Sequence, residues 1–360
     1  MSTSRTMLIG IYDEPQTLYG NPKATFPILQ QLHVQVLRVG LYWGGRYGVA
    51  KSKPTDATDP ADAAYDWSLY DRTVDFASQY KIRILFSIYG TPSWANNGAG
   101  LNHAPASFEG LARFARAAAT RYSGTYPGSD GRPLPAVHLW LAWNEPNNPI
   151  FLSPQYKQEG DKFVVQSARD YARICKAIYN GIHGTKFPGE KVACGATAPR
   201  GNNNPHSSRP SVAPIAFLKA LKLAGLKAFD VYAHHPYYGS PTESPSTPPR
   251  GVGAGTRAIT LGNIGNLLTV LTALYGPKHL WITEYGYQTN PPDRIFGVSW
   301  QRQAAYLKQA YQIVRANPRI DMMLWYLLKD ETVLSGWQSG LETSTGNIKP
   351  AFAAFASLRS

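Results

Sequence analysis

The chain has 360 residues, 43% of them hydrophobic, and a net charge of +13. That size suits one α/β barrel, and no apolar run reaches the length of a membrane helix, which argues against a membrane partner. Its Lys and Arg residues are scattered without a basic run, which argues against nucleic acid; the excess charge reads as a solvated surface, with attraction to an acidic glycan as the sharper alternative.

Met1 to Thr6 carries no apolar secretion segment. Strand-like apolar runs then recur at Met7–Ile11, Val34–Tyr42, Ile82–Ile88, Val137–Trp143, Val192–Thr197, Phe229–Ala233, Leu280–Thr283 and Met322–Tyr326. Amphipathic, helix-like stretches lie between and after them, at Asp66–Tyr80, Phe108–Tyr122, Asp161–Ile182, Pro214–Leu223, Leu261–Leu274, Trp300–Val314 and Ala351–Leu358. Alternation of strand and helix predicts a parallel sheet. Near-continuous apolar strands predict that both of its faces are buried. Eight such units fit a closed (β/α)8 TIM barrel, one domain over residues 1–360, better than an open doubly wound sheet. The first strand exits into Tyr12-Asp13-Glu14-Pro15, which offers no Gly-rich phosphate turn. One long loop rich in Pro, Ser and Gly is expected at Gly239–Gly255.

Two cysteines, Cys175 and Cys194, form no CxxC pair, so a structural zinc site of the usual spacing is excluded. Cys175 falls in a predicted helix and Cys194 in the strand after it. A helix axis packs well away from a sheet, so two buried free thiols are expected rather than a bridge.

In such a barrel the active site is built at the C-terminal ends of the strands. The fourth strand delivers Trp143-Asn144-Glu145-Pro146, and the seventh delivers Glu284 before Tyr285-Gly286. Two glutamates on two strand tips are what a glycosidase requires: one protonates the leaving oxygen and the other attacks the sugar carbon. Other exits supply Leu37-Arg38-Val39, Tyr42-Trp43, Tyr89-Gly90-Thr91-Pro92-Ser93-Trp94-Ala95, His234-His235-Pro236-Tyr237-Tyr238 and Trp325-Tyr326.

The ordered set Leu-Arg-Val, Trp-Asn-Glu-Pro, His-Pro-Tyr and Thr-Glu-Tyr-Gly, from Arg38 to Glu284, resembles the clan A retaining glycoside hydrolases. The stretch after the third strand looks most like family 39, with the family 5 cellulase-like group second. The resemblance implies a TIM barrel acting on β-linked oligosaccharides or polysaccharides, with Glu145 as acid/base and Glu284 as nucleophile. It implies further that Asn144 binds the sugar 2-hydroxyl, Arg38 and Tyr237 hold Glu284 ionised, His235 lines the same wall and Trp325 floors the reacting sugar. The mechanism needs no metal and no cofactor. The two carboxyl groups are expected about 5–5.5 Å apart. Rival activities are transglycosylation at the same site and carbohydrate binding on an inactive barrel. Because polysaccharides are mostly extracellular, a mature secreted form is expected, with a cytosolic protein as the alternative.

Plainer roles exist for each residue. Glu145 can cap a loop, Glu284 and Arg38 can be structural ion-pair members, and His235, like His234, can be a satisfied core histidine. Only one of Trp325 and Tyr326 can face inward, because strand side chains alternate. Trp43, Trp94 and Trp337 are candidates for ring stacking or for core packing. Asp330-Glu331 is expected to be a solvated turn. A His235–Glu metal site is disfavoured, since no second histidine has ligand spacing on a shared element.

Overall fold

The computed structural model describes residues 7–250 and 257–358, so the 251–255 part of the expected long loop lies outside the described residues. The strands are β1 (Leu8–Tyr12), β2 (Val36–Tyr42), β3 (Arg83–Tyr89), β4 (Leu139–Ala142), β5 (Tyr156–Glu159), β6 (Lys162–Val165), β7 (Lys191–Thr197), β8 (Val231–His234), β9 (Leu280–Tyr285) and β10 (Ile320–Tyr326). Among the described residues, β1 to β4 and β7 to β10 close a barrel in the order β1-β10-β9-β8-β7-β4-β3-β2, every pair parallel. The chain is a single-domain (β/α)8 TIM barrel.

Around the barrel run α1 (Glu14–Thr17), α2 (Pro22–Gln31), α3 (Ser68–Gln79), α4 (Phe108–Arg121), α5 (Gln166–His183), α6 (Pro214–Leu223), α7 (Ile264–Tyr275), α8 (Trp300–Arg315) and α9 (Pro350–Ala356). Strand alternation splits the core in two. Val36, Leu85, Leu141, Ala193, Val231, Trp281, Met322 and Leu324 fill the barrel, while the neighbouring strand positions pack outward against the helices.

Three local features depart from the sequence expectations. Helices α1 and α2 occupy a stretch where no helix was expected. Pro27 interrupts the pattern inside α2, which starts at the Asn21 cap followed by Pro22. The antiparallel hairpin β5–β6, turned at Gly160 with φ of 59°, takes the residues before Gln166, so α5 starts there and not at Asp161. Both hairpin strands are four residues long and β5 is largely polar, which leaves little strand signal to read.

The third departure is covalent. Cys175 and Cys194 are disulfide-bonded, with Cα atoms 6.1 Å apart, which corrects the expectation of free thiols. Helix α5 presents a buried stripe of Ala168, Ala172 and Cys175, small enough for close approach to the sheet. Between them, Tyr171 donates its hydroxyl to Ala142 O at 2.8 Å and accepts Gly195 N at 2.6 Å. One buried phenol thus ties α5 to both β4 and β7 and brings the cysteines within the roughly 7 Å that a bridge requires. Thiol titration of the unfolded, unreduced protein should find no reactive group. Because the bridge closes a separation of 19 residues, Cys175→Ala should lower the free energy of unfolding by about 3 kcal/mol in denaturant titrations.

Candidate active site

The fourth barrel strand ends in a forced turn. Trp143 and Glu145 have φ of 66° and 36°, a region that side chains avoid, costing roughly 1–3 kcal/mol each. The surroundings over-determine it. Trp143 donates its backbone N–H to Ile88 O at 2.8 Å and its indole N–H to Phe151 O at 2.7 Å. Glu145 donates its N–H to Ala196 O at 2.9 Å. Ala196 sits in the β7 irregularity, where Gly195 and Ala196 also have positive φ. The turn aims the Glu145 side chain across the barrel mouth.

Arg38 is the hub beneath it. This side chain is 1% exposed and every arm has a partner. Nε donates to Ser87 Oγ at 2.8 Å, Nη2 to Asn144 Oδ1 at 2.7 Å, and Nη1 to Glu284 Oε1 at 2.6 Å and Thr283 O at 3.2 Å. The Tyr12 ring lies 4.3 Å from the guanidinium carbon. Glu284 Oε2 accepts the Tyr237 hydroxyl at 3.1 Å. Burial, then the Glu284 charge, pushes the Tyr237 phenol well above its usual range, so it keeps its proton to donate.

His235 joins the two glutamates. Its Nε2 lies 2.9 Å from Thr283 Oγ1 and 3.4 Å from Arg38 Nη1. Arginine has only donors, so Nε2 accepts and the proton is on Nδ1. That nitrogen faces Glu145 Oε1 at 3.0 Å and Glu284 Oε1 at 3.6 Å. Burial lowers the His235 pKa to about 4, so the ring is neutral at neutral pH. Glu145, whose side chain is 12% exposed, has its pKa pushed up to about 7, chiefly by burial, against the pull of the Asn148 amide and Arg38. Asn148 donates Nδ2 to Glu145 Oε2 at 3.1 Å.

Single atoms of Glu145, His235 and Glu284 lie within 4.8 Å of one another, a set that could ligate a cation. The Arg38 guanidinium already neutralises Glu284 at 2.6 Å, and its positive charge opposes a metal in the same space.

Arg38, Asn144, Glu145, His235, Tyr237 and Glu284 are therefore brought together. The tryptophans are not. Trp325 turns outward, 1% exposed, and donates its indole N–H to Ser339 O at 2.8 Å. The next residue, Tyr326, faces inward in its place. Trp337 reaches the cleft from the following loop, its ring 4.9 Å from Tyr237 and 5.5 Å from Tyr326. Trp43 is buried in the outer layer, stacked on Phe114 of α4 at 6.0 Å. Trp94 packs edge-on against it at 5.6 Å. Side-chain alternation put Trp43 and Trp325 on the helix side. Asp330 is no solvated turn either: it forms an ion pair with Lys349 at 2.7 Å, both side chains 2% exposed or less.

The sequence did not point to Ser87, Asn148 or Thr283, which lie one or three positions from conspicuous residues and act by hydrogen bonding. Nor did it point to a tyrosine arc. Tyr326, Tyr12, Tyr42 and Tyr89 end four neighbouring strands, paired in register as Tyr12 with Tyr326 and Tyr42 with Tyr89. Their common spacing from inward-facing residues was the available signal. The carboxyl of Glu145 should titrate near pH 7, as the difference in infrared carboxyl absorption between the native protein and Glu145→Gln would record.

No protein-family model matches the chain, and no curated protein matches it. Solved structures do. A family 39 glycoside hydrolase from the gut symbiont Bacteroides cellulosilyticus WH2 superposes with a TM-score of 0.66 at 19% identity, over 97% of this chain and 62% of that one. A glucosidase from Croceicoccus marinus gives 0.69 at 14% identity, over 99% and 67%. A family 1 β-glucosidase from Thermotoga maritima gives 0.59 at 13% identity, over 99% and 98%. The chain thus spans less than two thirds of the family 39 enzyme, and at these identities what it shares with all three is the TIM-barrel fold.

Proposed function

We propose that this barrel is a retaining glycoside hydrolase of β-linked sugars, with Glu284 as nucleophile and Glu145 as acid/base. The observation that carries the proposal is the pair itself. One oxygen of each carboxyl group lies within 4.8 Å of one of the other, in keeping with the roughly 5–5.5 Å of retaining enzymes and short of the roughly 6.5–9.5 Å of inverting ones. Their surroundings differ in the required sense. Arg38 and Tyr237 donate to the two oxygens of Glu284 and orient it. Burial of Glu145 favours the protonated form.

Glu284 attacks the anomeric carbon as the bond to the leaving oxygen breaks, and the Glu145 proton passes to that oxygen. Water then attacks the same carbon, gives its proton back to Glu145 and releases Glu284. Asn144 Oδ1 is taken by Arg38, so its amide N–H groups remain to donate to a sugar hydroxyl. Tyr237, Tyr326 and Trp337 supply ring faces for stacking. The substrate would be an oligosaccharide or polysaccharide. The Cys175–Cys194 bridge supports an oxidising, extracellular setting.

Azide separates the two roles. Glu284→Ala should lose turnover and regain it with azide to give a product of inverted configuration. Glu145→Ala should regain it with retained configuration. The same anomer from both variants would overturn the assignment. In the native enzyme, kcat/KM should fall as pH rises through about 7, where Glu145 loses its proton, and Glu145→Gln should lack that alkaline limb.

Tyr171 offers a further check, because its hydroxyl pins Ala142 O and Gly195 N, on either side of the Glu145 turn. In Tyr171→Phe, kcat/KM should drop about tenfold for alkyl glycosides, which need protonation to leave. Dinitrophenyl glycosides, which leave without it, should be spared. An equal loss on both would mean general damage rather than misplacement of the acid.

A further inference from the structure

We infer that the sugar-binding pocket is built for an uncharged glycone, and that Glu14 enforces this by repelling sugars that carry a carboxylate. The inference rests on the glycosidase proposal above and adds to it the class of sugar.

Glu14 follows β1 and lies buried beside the tyrosine arc. Its Oε1 accepts Gly40 N at 2.8 Å and the Tyr12 hydroxyl at 3.1 Å. Its Oε2 accepts the Tyr42 hydroxyl at 3.0 Å and the Tyr19 hydroxyl at 3.4 Å. A side chain at position 40 would collide with that carboxylate, so a glycine makes the seat. Each of the four partners can donate, an arrangement that suits an ionised carboxylate. Burial raises the Glu14 pKa above its usual value, and the hydrogen bonds from Tyr42, Gly40 and Tyr12, with Arg38, work against that rise.

Two consequences follow for a ligand. Tyr12 and Tyr42 spend their protons on Glu14, so their oxygens have only lone pairs left for the cleft. Such oxygens accept from sugar hydroxyls and give nothing to a carboxylate. Among the described residues, Glu14 also forms no salt bridge with a cation of its own. Arg38 is neutralised by Glu284 at 2.6 Å. On the loops around the barrel mouth, Lys349 is paired with Asp330 at 2.7 Å, Lys329 with Glu342 at 3.5 Å and Arg200 with Glu243 at 3.4 Å. Arg46 is exposed at the rim over the Tyr47 ring, outward of the Tyr47–Tyr19 pair that separates it from Glu14. Arg209, Arg250, Arg257 and Arg294, on the loops after β7, β8 and β9, are exposed, so the Arg38 guanidinium is the buried charge that Glu14 and Glu284 share.

The test compares p-nitrophenyl β-D-glucoside, galactoside and mannoside with the uronide of each configuration. The native enzyme should favour the best neutral member over its own uronide by about a hundredfold or more in kcat/KM, for a like charge inside a partly desolvated pocket. Glu14→Gln should narrow that ratio about tenfold, with the gain on the uronide side. Should Glu14→Gln not fold, the native enzyme still decides. A native preference for the uronide, or a ratio unmoved in folded Glu14→Gln, would overturn the inference. Either result would leave the glycosidase proposal standing and direct attention to Arg46. Lack of turnover on every glycoside would instead strike at the glycosidase proposal.

Discussion

The whole site depends on one buried guanidinium. Arg38 enters the barrel interior from β2 and binds strands on opposite sides of the mouth: Ser87 on β3, Thr283 and Glu284 on β9, and Asn144 just past β4. Taking such a charge out of water costs several kcal/mol, and its ion pair with Glu284 returns that only with good geometry and full hydrogen bonding. Both conditions are met. A hydrophobic residue could fill the space at equal or better stability, so the arginine is best explained by the charge it holds in place. It holds one carboxylate at 2.6 Å in a pocket where burial drives the other toward its neutral form.

Strain is handled in the same region. The Trp143–Glu145 turn stores unfavourable backbone angles, and the β7 irregularity at Gly195 and Ala196 stores more. The two face each other through the hydrogen bond from Glu145 N to Ala196 O. Tyr171 and the adjacent disulfide bind both segments to α5. A helix on the outside of the barrel therefore fixes an acid on the inside, which is how a rigid scaffold can hold a side chain at an angle its own backbone disfavours.

The tyrosine arc and Glu14 face the carboxylate pair across the mouth. One half of the rim carries the groups with reacting charge, and the other carries phenols whose protons are already committed. This division gives the cleft a direction. Phenol oxygens line one side, and Glu145 and Glu284 the other.

The sequence by itself determined the barrel and its chemistry-bearing tips. Apolar runs alternating with amphipathic stretches located all eight barrel strands to within a few residues, because burial on both faces writes a continuous signal. The paired carboxylates were legible because each glutamate ends an apolar strand, before Pro146 or Tyr285. What the tertiary structure alone decided was orientation and pairing. Whether Trp325 or Tyr326 faces inward depends on strand register, and a shift of one residue exchanges the two. Asp330 found Lys349, Cys175 found Cys194 and Glu14 found three tyrosines through contacts between segments that local pattern does not encode. Such pairings are set by how closely helices and loops can approach the barrel, and that distance is fixed by packing over the whole chain.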